Sequence, residues 1–230
     1  VGTFSWPASA NCIVLAGATP VFVDIEERSF NIDPQRLSDA IAKDASIKAV
    51  IPVHTFGGAA DIEAIRRVTD PRGIPVVEDA ACALGTEQNG RRAGSLGRVG
   101  VFSLHPRKAI TTGEGGMMTT DDDSIDRTLR IMRNHGQELN TKVPDFIAAG
   151  HNLRMTEMAA AMGITQLRKF DRILAFRAEK VAVYKRLLEG TGIRPPMSIS
   201  NSRHVYQSYV VLVPREAASK RTAAIEAMKA

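Results

Sequence analysis

Two cysteines, one tryptophan and an aromatic content of 5% leave this 230-residue sequence poor in the groups that staple small secreted folds. Cys12 and Cys82, far apart in a chain of this length, do not read as a disulfide framework. With no leader-like segment and no apolar run long enough to span a bilayer, no membrane partner and a reduced, cytoplasmic location are expected. Charge of one sign is not concentrated either. Thirty basic against twenty-five acidic residues give +5, but they are interspersed, so nucleic acid is excluded as a partner while the mild positive excess suits an anionic substrate or cofactor. No internal repeat or low-complexity linker is found, and no metal site is expected. Asp121, Asp122 and Asp123 stand at the start of a helical pattern that ends in bases, which reads as a cap. What is present is 44% hydrophobic and 24% charged, enough to bury a real core as one large domain, or one domain and part of another.

Organisation follows from hydrophobic periodicity. A helical segment over 8–16 breaks at Gly17 and leads to a strand over 20–23, and Cys12 within it reads as a buried small hydrophobe. Asp33 and Pro34 open a helix, a strand follows over 49–53, a helix over 61–68 and a strand over 74–79 (IPVVED). This alternation predicts a layered α/β sheet with helices on its faces. Residues 87–98 are a polar, glycine-rich turn. Strands are predicted over 99–104 and 116–120, and a helix over 124–133. From His151 to Gly190 a long amphipathic pattern begins at the cap Thr156, in which Met155, Met158 and Met162 read as core or as a contact between subunits. A strand over 206–213 and a helix from Ala217 complete the chain. His54, at a strand end, reads as a packed, hydrogen-bonded histidine.

The stretch VGVFSLHPRKAITTGEGG, residues 99–116, carries the chemistry. Lys108 stands between a buried strand and a glycine-rich turn. Most turn lysines are simply solvated, but a second feature points elsewhere: the strand ending at Asp79 is followed by the small residues Ala80, Ala81, Cys82 and Ala83. Parallel strands present functional side chains at their carboxyl ends, so Asp79 and the segment after Ser103 would open onto one crevice. An amine can hold an aldehyde cofactor as a Schiff base, a carboxylate can keep a pyridinium nitrogen protonated, and small residues admit a flat ring. These are the requirements of pyridoxal phosphate. A Walker loop would put its lysine after the glycines, and here Lys108 precedes them.

PVFVDI (20–25), PVHTFGGAADI (52–62), EDAACALG (78–85), FSLHPRKAITTGEGG (102–116), RNHG (133–136) and HNLRMTEMAAAMG (151–163) occur in the order and at about the spacing of one family. By these blocks the chain resembles the DegT/StrS sugar aminotransferases. The resemblance implies an α/β fold: the three-layer large domain of the fold type I pyridoxal-phosphate transferases, with a mostly parallel sheet, over residues 1–185. The start of a small α+β C-terminal domain follows over 186–230. It also implies that the chain begins inside the family pattern, without the upstream turn that completes the phosphate cup, and stops early in the smaller domain.

For function, the resemblance implies transfer of an amino group from glutamate or glutamine to a nucleotide-linked keto sugar in amino-sugar biosynthesis. Lys108 would be the catalytic and cofactor-holding amine, Asp79 the partner of the ring nitrogen, Ser103 a phosphate ligand and Trp6 the aromatic against the ring. Asn152 would reach the neighbouring subunit's cofactor phosphate, making a homodimer with shared active sites. His105 and Arg154 would lie toward the substrate. Cys82 stands where relatives usually carry Gln or His and is a weaker hydrogen-bond partner on the ring's hydroxyl side. Sugar dehydratases of the same fold replace the lysine with histidine, which Lys108 argues against. The alternative function is a non-catalytic, cofactor-binding regulatory protein.

Overall fold

The computed structural model describes residues 1–228. Its first three helices are α1 (Ala8–Leu15), α2 (Pro34–Lys43) and α3 (Ile62–Thr69). Their starts are set locally. The Asp33 carboxylate accepts from the Gln35 and Arg36 amides with Pro34 at the first helical position, and Asp61 accepts from the Ala64 amide. Each cap meets donors that the first helical turn leaves without partners.

The central sheet is mixed. The extended stretch 50–53 runs parallel to β1 (Val77–Asp79), tied by the Val77 amide to the Val50 carbonyl (2.9 Å), the Asp79 amide to the Pro52 carbonyl (2.9 Å) and the His54 amide to the Asp79 carbonyl (3.0 Å). After a small hairpin of β2 (Glu87–Gln88) and β3 (Arg91–Arg92), β4 (Val99–Ser103) returns parallel to β1 with Asp79 opposite Val101. An antiparallel strand, β5 (Gly116–Thr119), then pairs with the far side of β4. On the sheet sit Leu37 and Ile41 of α2 and Ile62 and Ile65 of α3, in one cluster with Val23, Val50, Val76 and Leu96. Each such side chain removed from water contributes roughly 1.5–3 kcal/mol, so these two helices hold the strands in register.

The remaining elements are α4 (Asp123–Met132), α5 (Glu157–Leu167), α6 (Phe170–Leu188), β6 (Ser202–Arg203) and α7 (Arg221–Ala227). The aspartates do cap: Asp122 accepts from the Ser124 and Ile125 amides, and Thr156 from the Ala159 amide. The polar stretch 87–98 contains a true hairpin. Asn89 and Gly90 both take positive φ (50° and 76°), as the tightest hairpin turn requires, and β6 adds a third strand beside β2.

Several expectations are corrected. The strand over 20–23 reduces to a parallel bridge between Val23 and Gly2. The single amphipathic pattern from His151 is two helices, parted at Arg168 and Lys169. The methionine stripe is not core within this chain: Met158 and Met162 are exposed. No strand runs over 206–213. Tyr206 takes φ of 50°, which breaks extended pairing, and Leu212 alone bridges Arg194. The predicted C-terminal helix starts as a 3-10 turn at Arg215 and becomes α-helical at Arg221. Cys12 is exposed, not buried. α1 is apolar around most of its circumference, so periodicity could not say which face turns inward, and the residue it buries is Ser9. Among the described residues no helix is long and apolar enough to cross a membrane, and no group of three His, Cys, Asp or Glu could hold a metal ion.

Candidate active site

Because β1 and β4 are parallel and adjacent, the chain leaves both strands at the same edge of the sheet, and the groups that follow them are brought together there. Asp79 is the last residue of β1. Its Oδ1 accepts from the Ala81 amide (3.1 Å) and its Oδ2 from the Ser9 hydroxyl (2.7 Å). Ser9 is buried and its Oγ lies 2.7 Å from that of Ser5, so α1 is docked on the site through two hydroxyls. The Ser5 side chain thus faces Ser9. Ala80 and Ala83 are fully buried, leaving a small-sided floor.

Beyond β4, the turn 104–115 is closed on itself: the Leu104 carbonyl accepts from the Thr111 hydroxyl (2.9 Å) and the Thr112 amide (3.1 Å). Within it the Lys108 amide donates to the His105 carbonyl (2.9 Å), and the Lys108 ammonium donates to Cys82 Sγ at 3.2 Å. Both side chains are half-buried. Ser103 Oγ accepts from the His105 amide (3.3 Å), and His105 Nδ1 from the Arg107 amide (3.1 Å), with His105 Nε2 3.8 Å from Glu114. Trp6 is largely exposed, and the Arg107 guanidinium lies 5.6 Å from its ring centre, a cation over an aromatic face. Asp79, Cys82, Lys108, Ser103, His105 and Trp6 therefore form one connected patch.

Asn152 and Arg154 belong to a different patch. Asn152 bridges Asn134 across two antiparallel segments, and Arg154 donates to the Asn134 side-chain carbonyl. Arg154 also lines a groove of about 520 Å³ with Phe102, Met117, Leu153 and Met155.

Beneath the site lies a buried pair. Successive residues of a strand face opposite sides, so Glu78 points away from Asp79. Its carboxylate accepts from the Gly94, Leu96 and Gly97 amides (2.8, 2.8 and 2.6 Å) and from His54 Nε2 (2.9 Å), while His54 Nδ1 accepts from the Ala60 amide. Both side chains are fully buried. Burial alone would raise the Glu78 carboxyl, but His54 and the backbone amides outweigh it and hold it below the ordinary carboxylate range. His54 is thus the packed, hydrogen-bonded residue its strand-end position suggests.

Sequence reasoning missed two supports. Ser9 was hidden in an apolar run, and the segment 203–208 crosses over the site although it holds no motif. Gln207 Nε2 donates to the Arg107 carbonyl, Arg177 donates to the Tyr206 carbonyl and the Gln207 side chain, and His204 stacks on Tyr206 with centroids 4.1 Å apart. A Cβ on Gly57 would sit 2.8 Å from Val205 and 3.0 Å from the Cys82 carbonyl, so only glycine admits this segment so close to the Cys82 loop. Burial, then the positive charge of Lys185, lowers the His204 pKa to about 4.

The chain was compared with known proteins. The DegT/DnrJ/EryC1/StrS aminotransferase family profile matches residues 1–230. GDP-perosamine synthase of Caulobacter vibrioides is 39% identical over 213 residues, covering 92% of this chain and 57% of that protein. The PLP form of Spr1654 from Streptococcus pneumoniae superposes with a TM-score of 0.91 at 27% identity, over 99% of this chain and 63% of that one. DesV of S. venezuelae, solved in complex with a ketimine intermediate, gives a TM-score of 0.88 at 33% identity, over 97% and 60% of the two chains. The chain therefore spans about three fifths of the length of these relatives.

Proposed function

From the premise that the chain belongs to the DegT/DnrJ/EryC1/StrS aminotransferase family and has the α/β fold type I architecture of its structural neighbours, we propose that it is a pyridoxal-phosphate-dependent sugar aminotransferase, moving an amino group from glutamate or glutamine to a nucleotide-linked keto sugar. The observation that supports this reading is that Asp79 ends β1 beside β4, the strand that leads into the Lys108 turn, and that the Lys108 amine meets Cys82, three residues after Asp79, at 3.2 Å.

The residues fit the cofactor chemically. Two anchored hydrogen bonds orient the Asp79 carboxylate, small side chains flank it, and an amine and a hydroxyl stand on the facing turn. Pyridoxal phosphate supplies an aldehyde for an amine to capture and a ring that withdraws electrons from the carbon bound to nitrogen. Lys108 would hold that aldehyde and, once released by substrate, would move a proton between the cofactor carbon and the sugar carbon. Asp79 would hold a proton at the ring nitrogen. Ser103 and Asn152, the latter from a second subunit, would bind the phosphate, Trp6 would cover the ring face, and His105 and Arg154 would meet the sugar nucleotide. Cys82 would lie on the side of the ring hydroxyl. The protein works as a homodimer in the cytoplasm, without a metal.

The test is direct. Protein incubated with pyridoxal phosphate and borohydride is expected to gain one cofactor on the peptide containing Lys108, and glutamate or glutamine should abolish the bound cofactor's visible absorbance. Lys108→Ala should lose the adduct, and turnover should fall by at least about a thousandfold. An adduct on another lysine overturns the assignment.

A further inference from the structure

The contact between Cys82 Sγ and Lys108 Nζ, 3.2 Å, joins the most oxidisable atom of the site to a nucleophilic amine. Several features favour chemistry between them. Both side chains are half-buried, so small solutes reach them while bulky thiols are hindered. Cys82 lies in a loop held on both sides: its carbonyl abuts Gly57, and the Ala83 amide donates to the Ala80 carbonyl (2.9 Å). Lys108 ends a flexible four-carbon stem rooted in a closed turn, so its amine can advance on a fixed sulfur. A sulfenic acid at such a position is normally captured by whichever nucleophile is nearest.

We propose that Cys82 and Lys108 form a reversible redox bridge, a sulfenamide, that ties up the lysine when the protein meets a hydroperoxide. The thiol sulfur attacks the peroxide, whose O–O bond breaks. Sulfur is oxidised by two electrons to the sulfenic acid, and water or an alcohol leaves. The Lys108 ammonium gives one proton to solvent, its nitrogen lone pair then attacks Sγ, the S–O bond breaks, and the hydroxyl departs as water with a second proton from nitrogen. The S–N bond forms with no further oxidation. A thiol restores the pair: its sulfur attacks Cys82, breaking the S–N bond and freeing the amine, and a second thiol releases Cys82 and leaves as a disulfide. While the bridge stands, Lys108 cannot capture a carbonyl, so the site is closed under oxidation and reopened by reduction. The bridge needs the sulfur and a free Lys108 amine, so it competes with carbonyl capture by that amine whatever substrate the site serves.

Cys12 is exposed one turn from Ser9, and a Cys12–Cys82 disulfide would remove the same mass, so the experiment uses the full chain carrying Cys12→Ser. Treated with a small excess of hydrogen peroxide and analysed by intact mass, it should lose two hydrogens. Proteolysis should yield one linked peptide pair holding Cys82 and Lys108, and dithiothreitol should reverse the change. Cys82→Ser and Lys108→Arg, each checked for native circular dichroism, should not show the loss, and in Lys108→Arg Cys82 should advance to the sulfinic acid. Oxygen added to Cys82 while Lys108 still reacts with an amine label overturns the proposal, as does a two-hydrogen loss confined to protein that retains Cys12.

Discussion

Glu78 shows how one buried group supports a site it does not enter. Its carboxylate gathers three amides of the 94–97 loop and the His54 ring, and Asp79 follows it in the same strand. Its folded pKa lies below that of an exposed carboxylate, so it contributes stability that is present above the unfolded value and lost as pH falls through the folded one. Glu78→Gln puts an amide NH₂ among N–H donors. Urea unfolding at neutral pH should show a loss of about 2–4 kcal/mol, and the difference from wild type should shrink in acid. His204 loses stability in the same direction of pH but for a different reason, the burial of a neutral ring. With its folded value lowered to about 4 against 6.5, the unfolded state binds the proton more readily, so stability falls as pH drops from 6.5 toward 4, by on the order of 3 kcal/mol. Hydrogen exchange of residues 203–208 should accelerate across that window and not in His204→Phe, which keeps a flat ring on Tyr206.

At the scale of elements, β4 is the strand on which everything turns, and its second residue is the sensitive one. A Cβ on Gly100 would lie 2.2 Å from Gly94 Cα and 2.7 Å from the Gly94 carbonyl oxygen. Backbone cannot yield as a side chain does, and Gly94 is itself bound to Glu78. Gly100→Ala should therefore cost at least about 3 kcal/mol, the upper end for overpacking, and thermal melting should report it. The start of α5 is a milder case. Thr156→Ala removes one cap and should cost about 1 kcal/mol. Helix starts like these were legible in advance because a cap acts over two or three residues. The interior of α1 was not, since its apolar run SANCIVL has no polar side to betray which face docks.

For the whole molecule, surface area is informative. The chain exposes 14452 Å², part of it large apolar side chains. Met117 and Met118 of β5, Leu153, and Met158, Ile164 and Leu167 of α5 are all exposed, beside the patch of Asn152 and Arg154. Such a surface is built to be covered. Sedimentation at micromolar concentration should show more than one copy per particle, and Met158→Glu with Ile164→Glu should shift it toward monomer. A monomeric wild type would contradict the proposed arrangement in which Asn152 reaches a second subunit's site.

From sequence alone came the α/β alternation, the capped helix starts, the polar turn over 87–98 and the pairing of an acid-terminated strand with a lysine turn. All of these depend on neighbours along the chain or on chemistry carried by residue type. Only the tertiary structure decided that Ser9 holds Asp79 across 70 residues and that Cys82 faces Lys108 across 26. It likewise decided that 203–208 lies over the site, where the sequence predicted a strand beginning only at 206. Those contacts exist because a parallel sheet sets two distant strand ends side by side, and no local periodicity records which side chains then meet.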